Sequence, residues 1–106
     1  MLNTLSLLEG LANVNRLYLF LVLLKKDFCV CELQEILDLE QSRLSHQLRL
    51  LKFYGLVKST QEGRWMTYYV PDEVKKNPII QALARNTELP PTLQEKIPRV
   101  RIRGKK

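Results

Sequence analysis

The sequence predicts a mainly α-helical domain that carries one β-hairpin. Three observations lead there. Apolar residues recur at helical spacing in successive stretches as far as Phe53. After Gly55 the pattern turns to alternation, over Leu56–Thr60 and again over Trp65–Val70. The chain has 106 residues, 45% of them hydrophobic, which suits one small folded core rather than disorder or several domains.

Each element has its own local signal. Asn3 or Thr4 can cap a short helix over residues 3–12, with Leu5, Leu8, Leu11 and Ala12 on one side. Gly10 inside that helix costs stability and points to a close approach. Asn13 starts a second helix to about Leu24, apolar nearly all round, and so predicted to be the most buried helix or a subunit interface. Lys25, Lys26 and Asp27 form a polar break. A third helix runs from Cys29 or Val30 to Leu37, with Val30, Leu33, Ile36 and Leu37 facing inward, and Asp38 and Leu39 make the turn that follows. The next helix spans Glu40 to Tyr54, with a core-facing stripe of Leu44, Leu48, Leu51 and Phe53. The short gap between these two predicts a helix-turn-helix, whose second helix enters the major groove of DNA.

Gly55 is the expected C-cap of that helix. The two strand-like runs behind it are joined by Gln61–Arg64, with Gly63 supplying positive φ for the turn. Pro71 ends the hairpin. Asn77 and Pro78, cap then N1 proline, open a last helix through Ile79, Ile80, Leu83 and Ala84 to about Asn86. Leu89-Pro90-Pro91 breaks it. The expected organisation is a domain over 1–88 and a proline-containing basic tail over 89–106, flexible or loosely docked.

Away from its apolar stripe, the Glu40–Tyr54 helix carries Gln41, Ser42, Arg43, Ser45, His46, Gln47, Arg49 and Lys52, with no acid after Glu40. These side chains donate to phosphates and reach base edges. Taken alone, the same face is also that of an ordinary solvated helix. A hairpin bearing Lys58 and Arg64 directly after a helix-turn-helix is a more specific arrangement, a winged helix, with both cations in reach of phosphates or a minor groove. The net charge of +6 adds little, because residues 95–106 carry six basic residues against Glu95 alone, leaving 11 basic and 10 acidic residues elsewhere. The longest apolar run, about Leu17–Leu24, is too short to cross a bilayer, and Met1 is followed by no basic cluster. The sequence therefore predicts a cytoplasmic protein without a membrane partner. It holds one histidine, no glycine-rich phosphate loop and no base beside its cysteines, so an enzyme is not expected.

Four motifs in order and spacing, CVCEL at Cys29–Leu33, SHQLRLLK at Ser45–Lys52, GLV at Gly55–Val57 and EGRW at Glu62–Trp65, resemble the ArsR/SmtB family of metal- and metalloid-responsive repressors. The resemblance covers roughly residues 8–71. It implies a homodimeric winged-helix repressor that binds a palindromic double-stranded DNA operator in its own promoter and leaves it when an inducer binds. By motif position Gln41, Ser42, Arg43, Ser45, His46 and Gln47 would read DNA, and Arg64 would sit on the wing. Dimerisation through the first and last helices would use Leu5, Leu8, Ile79, Ile80 and Leu83.

In arsenic-sensing members of that family the CVC motif supplies thiolates to As(III), so the resemblance makes Cys29 and Cys31 the metal ligands. No obligatory cofactor is implied, only As(III), Sb(III) or another thiophilic ion as inducer. A third family cysteine often lies three positions after the second, where this chain has Gln34. His46 falls on the DNA side. The zinc-type His/Asp pattern is missing from the last helix, and the N-terminal segment has no cysteine for a cadmium- or lead-type site. Residues two apart on a regular helix point to nearly opposite faces, so Cys29 and Cys31 would share an ion, or a disulfide, only if the helix start frays. Without the resemblance, one cysteine is a buried small hydrophobe and the other a bystander. Two alternatives stay open: a thiol-redox-responsive repressor of the same fold, and a non-sensing winged-helix module that binds nucleic acid mainly through its basic tail.

Overall fold

Asn3 and Asn13 open the first two helices in the computed structural model, which describes residues 3–97. The Asn3 Oδ1 accepts from the Ser6 N–H at 2.8 Å, and the Asn13 Oδ1 from the Asn15 and Arg16 N–H groups at 3.0 and 3.1 Å. They start α1 (Thr4–Gly10) and α2 (Val14–Lys25). Five consecutive residues of α2, Leu19 to Leu23, are buried, as its all-round apolar character requires. Its Phe20 and the Phe28 that follows it are among the largest side chains of the core. No single helix among the described residues is long and apolar enough to cross a membrane. Gly10 meets the expected close approach: a Cβ there would lie 2.5 Å from Leu56 Cδ1 and 3.1 Å from Tyr54 Cβ. Leu7 and Gly10 are the buried residues of α1, whereas Leu5 and Leu8 are 65% and 55% exposed.

A two-residue strand, β1 (Phe28–Cys29), precedes α3 (Val30–Leu37). No period-2 signal is readable in two residues, and only the pairing of Phe28 with Tyr68 and Cys29 with Thr67 makes them a strand. Leu33 and Ile36 of α3 are buried, and with them Glu32. Asp38 ends the helix in the left-handed conformation, φ 55°.

The next helix, α4 (Gln41–Phe53), buries Leu44, Leu48 and Leu51 against α2 and α3. Phe53, expected on the same stripe, is instead 78% exposed. It lies two residues beyond Leu51, about 200° around a helix of 3.6 residues per turn, so the stripe cannot include it. Gly55, φ 82°, closes the helix: its N–H donates to Lys52 O at 3.0 Å and the Leu56 N–H to Leu51 O at 2.9 Å, a Schellman pair with Leu51 and Leu56 both buried.

The wing is β2 (Lys58–Glu62) and β3 (Trp65–Tyr69), and the sheet runs in the order β1-β3-β2, antiparallel throughout. The connection is shorter than Gln61–Arg64, because Gln61 and Glu62 pair with Met66 and Trp65. Gly63 and Arg64 alone turn the chain, Gly63 at φ 64°, which suits the first position of a type II′ turn. Leu56 and Val57, read as strand, belong to the core ahead of it.

After one turn of helix, α5 (Asp72–Lys75), the Asn77 side chain caps α6 (Pro78–Asn86) at 2.8 Å from the Ile79 N–H. Ile79 is 41% exposed and Leu83 half-buried, but Ile80, grouped above with the dimer face, is buried in the core of the chain itself. Leu89 is also buried, and α7 (Pro91–Lys96) packs on α3 where a loose tail was expected from Leu89 onward. Pro91 fits at the start of a helix, where its missing N–H has no intrahelical acceptor to lose. Leu93 and Ile97 lie against the core, and Gln94 Nε2 donates to Leu89 O at 2.6 Å. The basic residues Arg99, Arg101, Arg103, Lys105 and Lys106 lie outside the described residues.

Candidate nucleic-acid interface and thiol pair

With Leu44, Leu48 and Leu51 turned inward, α4 presents Gln41, Ser42, Arg43, His46, Arg49 and Lys52 as exposed side chains, with Ser45 and Gln47 half-buried. Ser42, Arg43, His46 and Gln47 come together with Asn15 around a depression of about 460 Å³ beside the start of the helix. Lys58 and Arg64 are exposed at the two ends of β2 and its turn, so they stand apart along the wing. Lys52 ties helix to wing, its Nζ donating to Ser59 Oγ at 3.0 Å.

Arg16, which the residue pattern did not bring forward, is built into this face. Its Nε donates to Gly10 O at 2.7 Å and its Nη2 to Glu9 O at 3.3 Å, filling carbonyls at the end of α1, while Nη1 reaches Gln47 Oε1 at 3.3 Å. Its one visible signal is isolation, since no other charged residue occurs between Glu9 and Lys25. A charge on an otherwise apolar helix needs a partner when it is drawn inward.

The two cysteines meet. Cys29 is the N-cap of α3, with the extended backbone of β1 (φ −86°, ψ 170°), and only Cys31 lies within the helix. Their Sγ atoms are 3.4 Å apart, without the fraying that a helical Cys29 would need. The Cys29 N–H donates to Glu32 Oε1 at 2.8 Å, and this buried carboxyl locks the strand-to-helix corner. Burial pushes the Cys29 thiol up to about 12, helped by its hydrogen bonds to the Cys31 and Glu32 side chains and by the Glu32 charge, while the Glu32 backbone N–H works the other way. Cys31 is half-buried. The pair opens on a cavity of about 300 Å³ that is also lined by Val30, Gln34, Gln41, Arg64, Trp65 and Met66. One space thus joins the thiols to the first residue of α4 and the tip of the wing. Among the described residues no three His, Cys, Asp or Glu side chains converge as a metal site.

A sequence model described as bacterial regulatory protein, arsR family, matches residues 13–59. A Staphylococcus aureus homologue of the cadmium resistance transcriptional regulatory protein CadC is 32% identical over 82 residues, which cover 76% of this chain and 68% of that protein. The chain belongs to the arsR family. Another relative, the Synechocystis homologue of the transcriptional repressor SmtB, is 39% identical over 64 residues, 60% of this arsR-family chain and 48% of that protein. The chain spans about half the length of several such curated relatives. Among solved structures, HlyU from Vibrio cholerae superposes with a TM-score of 0.69 at 36% identity, covering 76% of this chain and 87% of that one. The relatives are named as regulators, not enzymes.

Proposed function

We propose that this arsR-family chain is a homodimeric, DNA-binding transcriptional repressor, released from a palindromic operator by a thiophilic inducer, As(III) or Sb(III), at Cys29 and Cys31. The observation that carries the proposal is the 3.4 Å approach of two sulfurs in a cavity shared with Gln41 and Arg64. The sensing atoms and the DNA-reading elements then line one space.

The start of α4 lies in the major groove, where Gln41, Ser42, Arg43, Ser45, His46 and Gln47 meet base edges and phosphates. Arg49, Lys52, Lys58 and Arg64 hold the flanking backbone, Arg64 from the wing. The exposed Leu5, Leu8 and Ile79 supply the two-fold contact that repeats this geometry on the second half-site.

The donor set fits a bent centre. Two thiolate bonds of about 2.3 Å at a near-right angle put the sulfurs about 3.3 Å apart, whereas a linear ion would hold them about 4.6 Å apart. Each As–S bond replaces an As–O bond of arsenous acid, and the thiol proton leaves with that hydroxide as water. Binding also ties the end of β1, which pairs with the wing strand β3, to the first turn of α3, which packs on α4. Moving either end displaces Arg64 or Gln41. A hundredfold release corresponds to about 2.7 kcal/mol, a demand that small displacements in two half-sites meet.

The same approach supports a second reading. A peroxide could take two electrons and both thiol protons from the pair, leaving a Cys29–Cys31 disulfide and water.

The test is fluorescence anisotropy of the reduced protein on its upstream promoter DNA at moderate salt, titrated with arsenite. The expected result is tight binding that arsenite reverses, with Cys29→Ser and Cys31→Ser unresponsive. Reversal by peroxide alone would favour the redox reading. No preference for promoter over random DNA would turn the function toward general nucleic-acid packaging.

A further inference from the structure

We infer that Arg16 sets which bases Gln47 can read, by holding the oxygen of its amide turned toward the guanidinium. The inference rests on the proposal that α4 reads an operator. A free glutamine selects adenine with both ends of its amide, the oxygen accepting from N6 and the nitrogen donating to N7. In this chain Oε1 takes the Arg16 Nη1–H at 3.3 Å. The amide cannot face the other way, because a guanidinium has donors only and would meet a second donor. Arg16 is itself fixed, with two further bonds to the carbonyls of Glu9 and Gly10. Together with the bond to Gln47, these hold the guanidinium of this half-buried residue in place.

Gln47 is left with its amide N–H groups facing outward. A donor-only side chain takes guanine O6 or N7, thymine O4 or adenine N7, and refuses cytosine, whose major-groove edge is itself a donor. The discrimination lost is adenine over guanine, since the amide oxygen is held toward Arg16 rather than toward N6 or O6. Arg16 is thus a positioning residue for specificity, and it connects the end of α1 to the reading face of α4.

The test is selection of bound sequences from a pool with a randomised half-site, using the full chain. The Gln47→Ala protein identifies the base pair that Gln47 faces as the one whose preference it erases. At that pair the wild type is expected to take guanine at least as well as adenine and to reject cytosine. Arg16→Met, with its fold checked by circular dichroism, is expected to shift the ratio about tenfold toward adenine, the scale of one bidentate contact. A wild type that prefers adenine over guanine tenfold would overturn the inference, and that arm needs no variant of Arg16. So would a Gln47→Ala protein with unaltered preferences, while leaving operator reading intact. No enriched sequence from the wild type would overturn operator reading itself.

Discussion

Cys29 and Cys31 face one another at 3.4 Å because a secondary-structure boundary runs between them: Cys29 ends β1 and caps α3, and Cys31 lies in the first turn. The strand pairing of Cys29 with Thr67 fixes the first sulfur to the wing, and the helix fixes the second. The spacing that would separate two cysteines on one helix brings them together across this corner.

Gln34 lines the same cavity, one turn beyond Cys31. Gln34→Cys is therefore expected to complete a three-thiolate set and to lower the arsenite concentration that half-releases the DNA by tenfold or more. Anisotropy titrations of the two proteins side by side measure it. An unchanged midpoint would mean that position 34 does not reach the ion.

The high thiol value of Cys29 gives the pair a pH dependence of definite sign. At neutral pH Cys29 carries its proton, and an ion must displace it. Arsenous acid loses one hydroxide as water for each thiol proton, so its affinity is expected to stay level across neutral pH. A thiophilic divalent cation, which releases the proton to solvent, is expected to bind up to about tenfold more tightly per unit of rising pH. Trp65, the only tryptophan, lines the cavity and reports occupancy by its fluorescence. The folded value lies above the ordinary 9.0, so the neutral thiol stabilises the fold fully below that pH and the contribution fades from there toward 12. Urea unfolding at pH 7 and pH 10.5 should show a larger loss for wild type than for Cys29→Ala. Equal losses would count against a buried, protonated Cys29.

Where structure is local, the residues announce it. Asn3, Asn13 and Asn77 cap the helices they were expected to cap, Gly55 and Gly63 take the positive φ their turns need, and the apolar spacing of α2 and α4 locates the core. Long-range features leave no such trace. Two residues become β1 only by pairing with a strand some 40 positions away. Arg16 reaches Gln47 across 31 positions. α7 is written as a double proline, which reads as a break until Leu89 and Leu93 are seen against the core. The candidate interface was legible as a set of side-chain types, but not the tether on one of its members.

Phe53 and Leu51 make that difference measurable. Leu51 is wholly buried and Phe53 is 78% exposed. Leu51→Ala is expected to cost about 2–5 kcal/mol through lost contacts and the cavity left behind, and Phe53→Ser no more than about 0.5 kcal/mol. Urea denaturation midpoints compare them. A large loss for Phe53→Ser would show that its ring is covered, by a partner subunit for instance.

The dimer proposal can be tested at Leu8. Leu5 and Leu8 lie one turn apart on α1, 65% and 55% exposed, and Ile79 on α6 is 41% exposed. Leaving such leucines in water forgoes about 1.5–3 kcal/mol each relative to burial. In a two-fold interface every substitution acts twice, so Leu8→Glu removes two apolar contacts and introduces two carboxylates. The dimer dissociation constant should rise by at least roughly a hundredfold, since two losses of 1.5 kcal/mol already amount to about that factor. Sedimentation velocity across a concentration series reads the change directly, and circular dichroism checks that the monomer stays folded, because Leu8 contributes nothing to the buried core of its own chain. Operator affinity should fall with the dimer, since each half-site alone is held by one α4 and one wing. A Leu8→Glu protein that stays fully dimeric would move the two-fold contact away from α1.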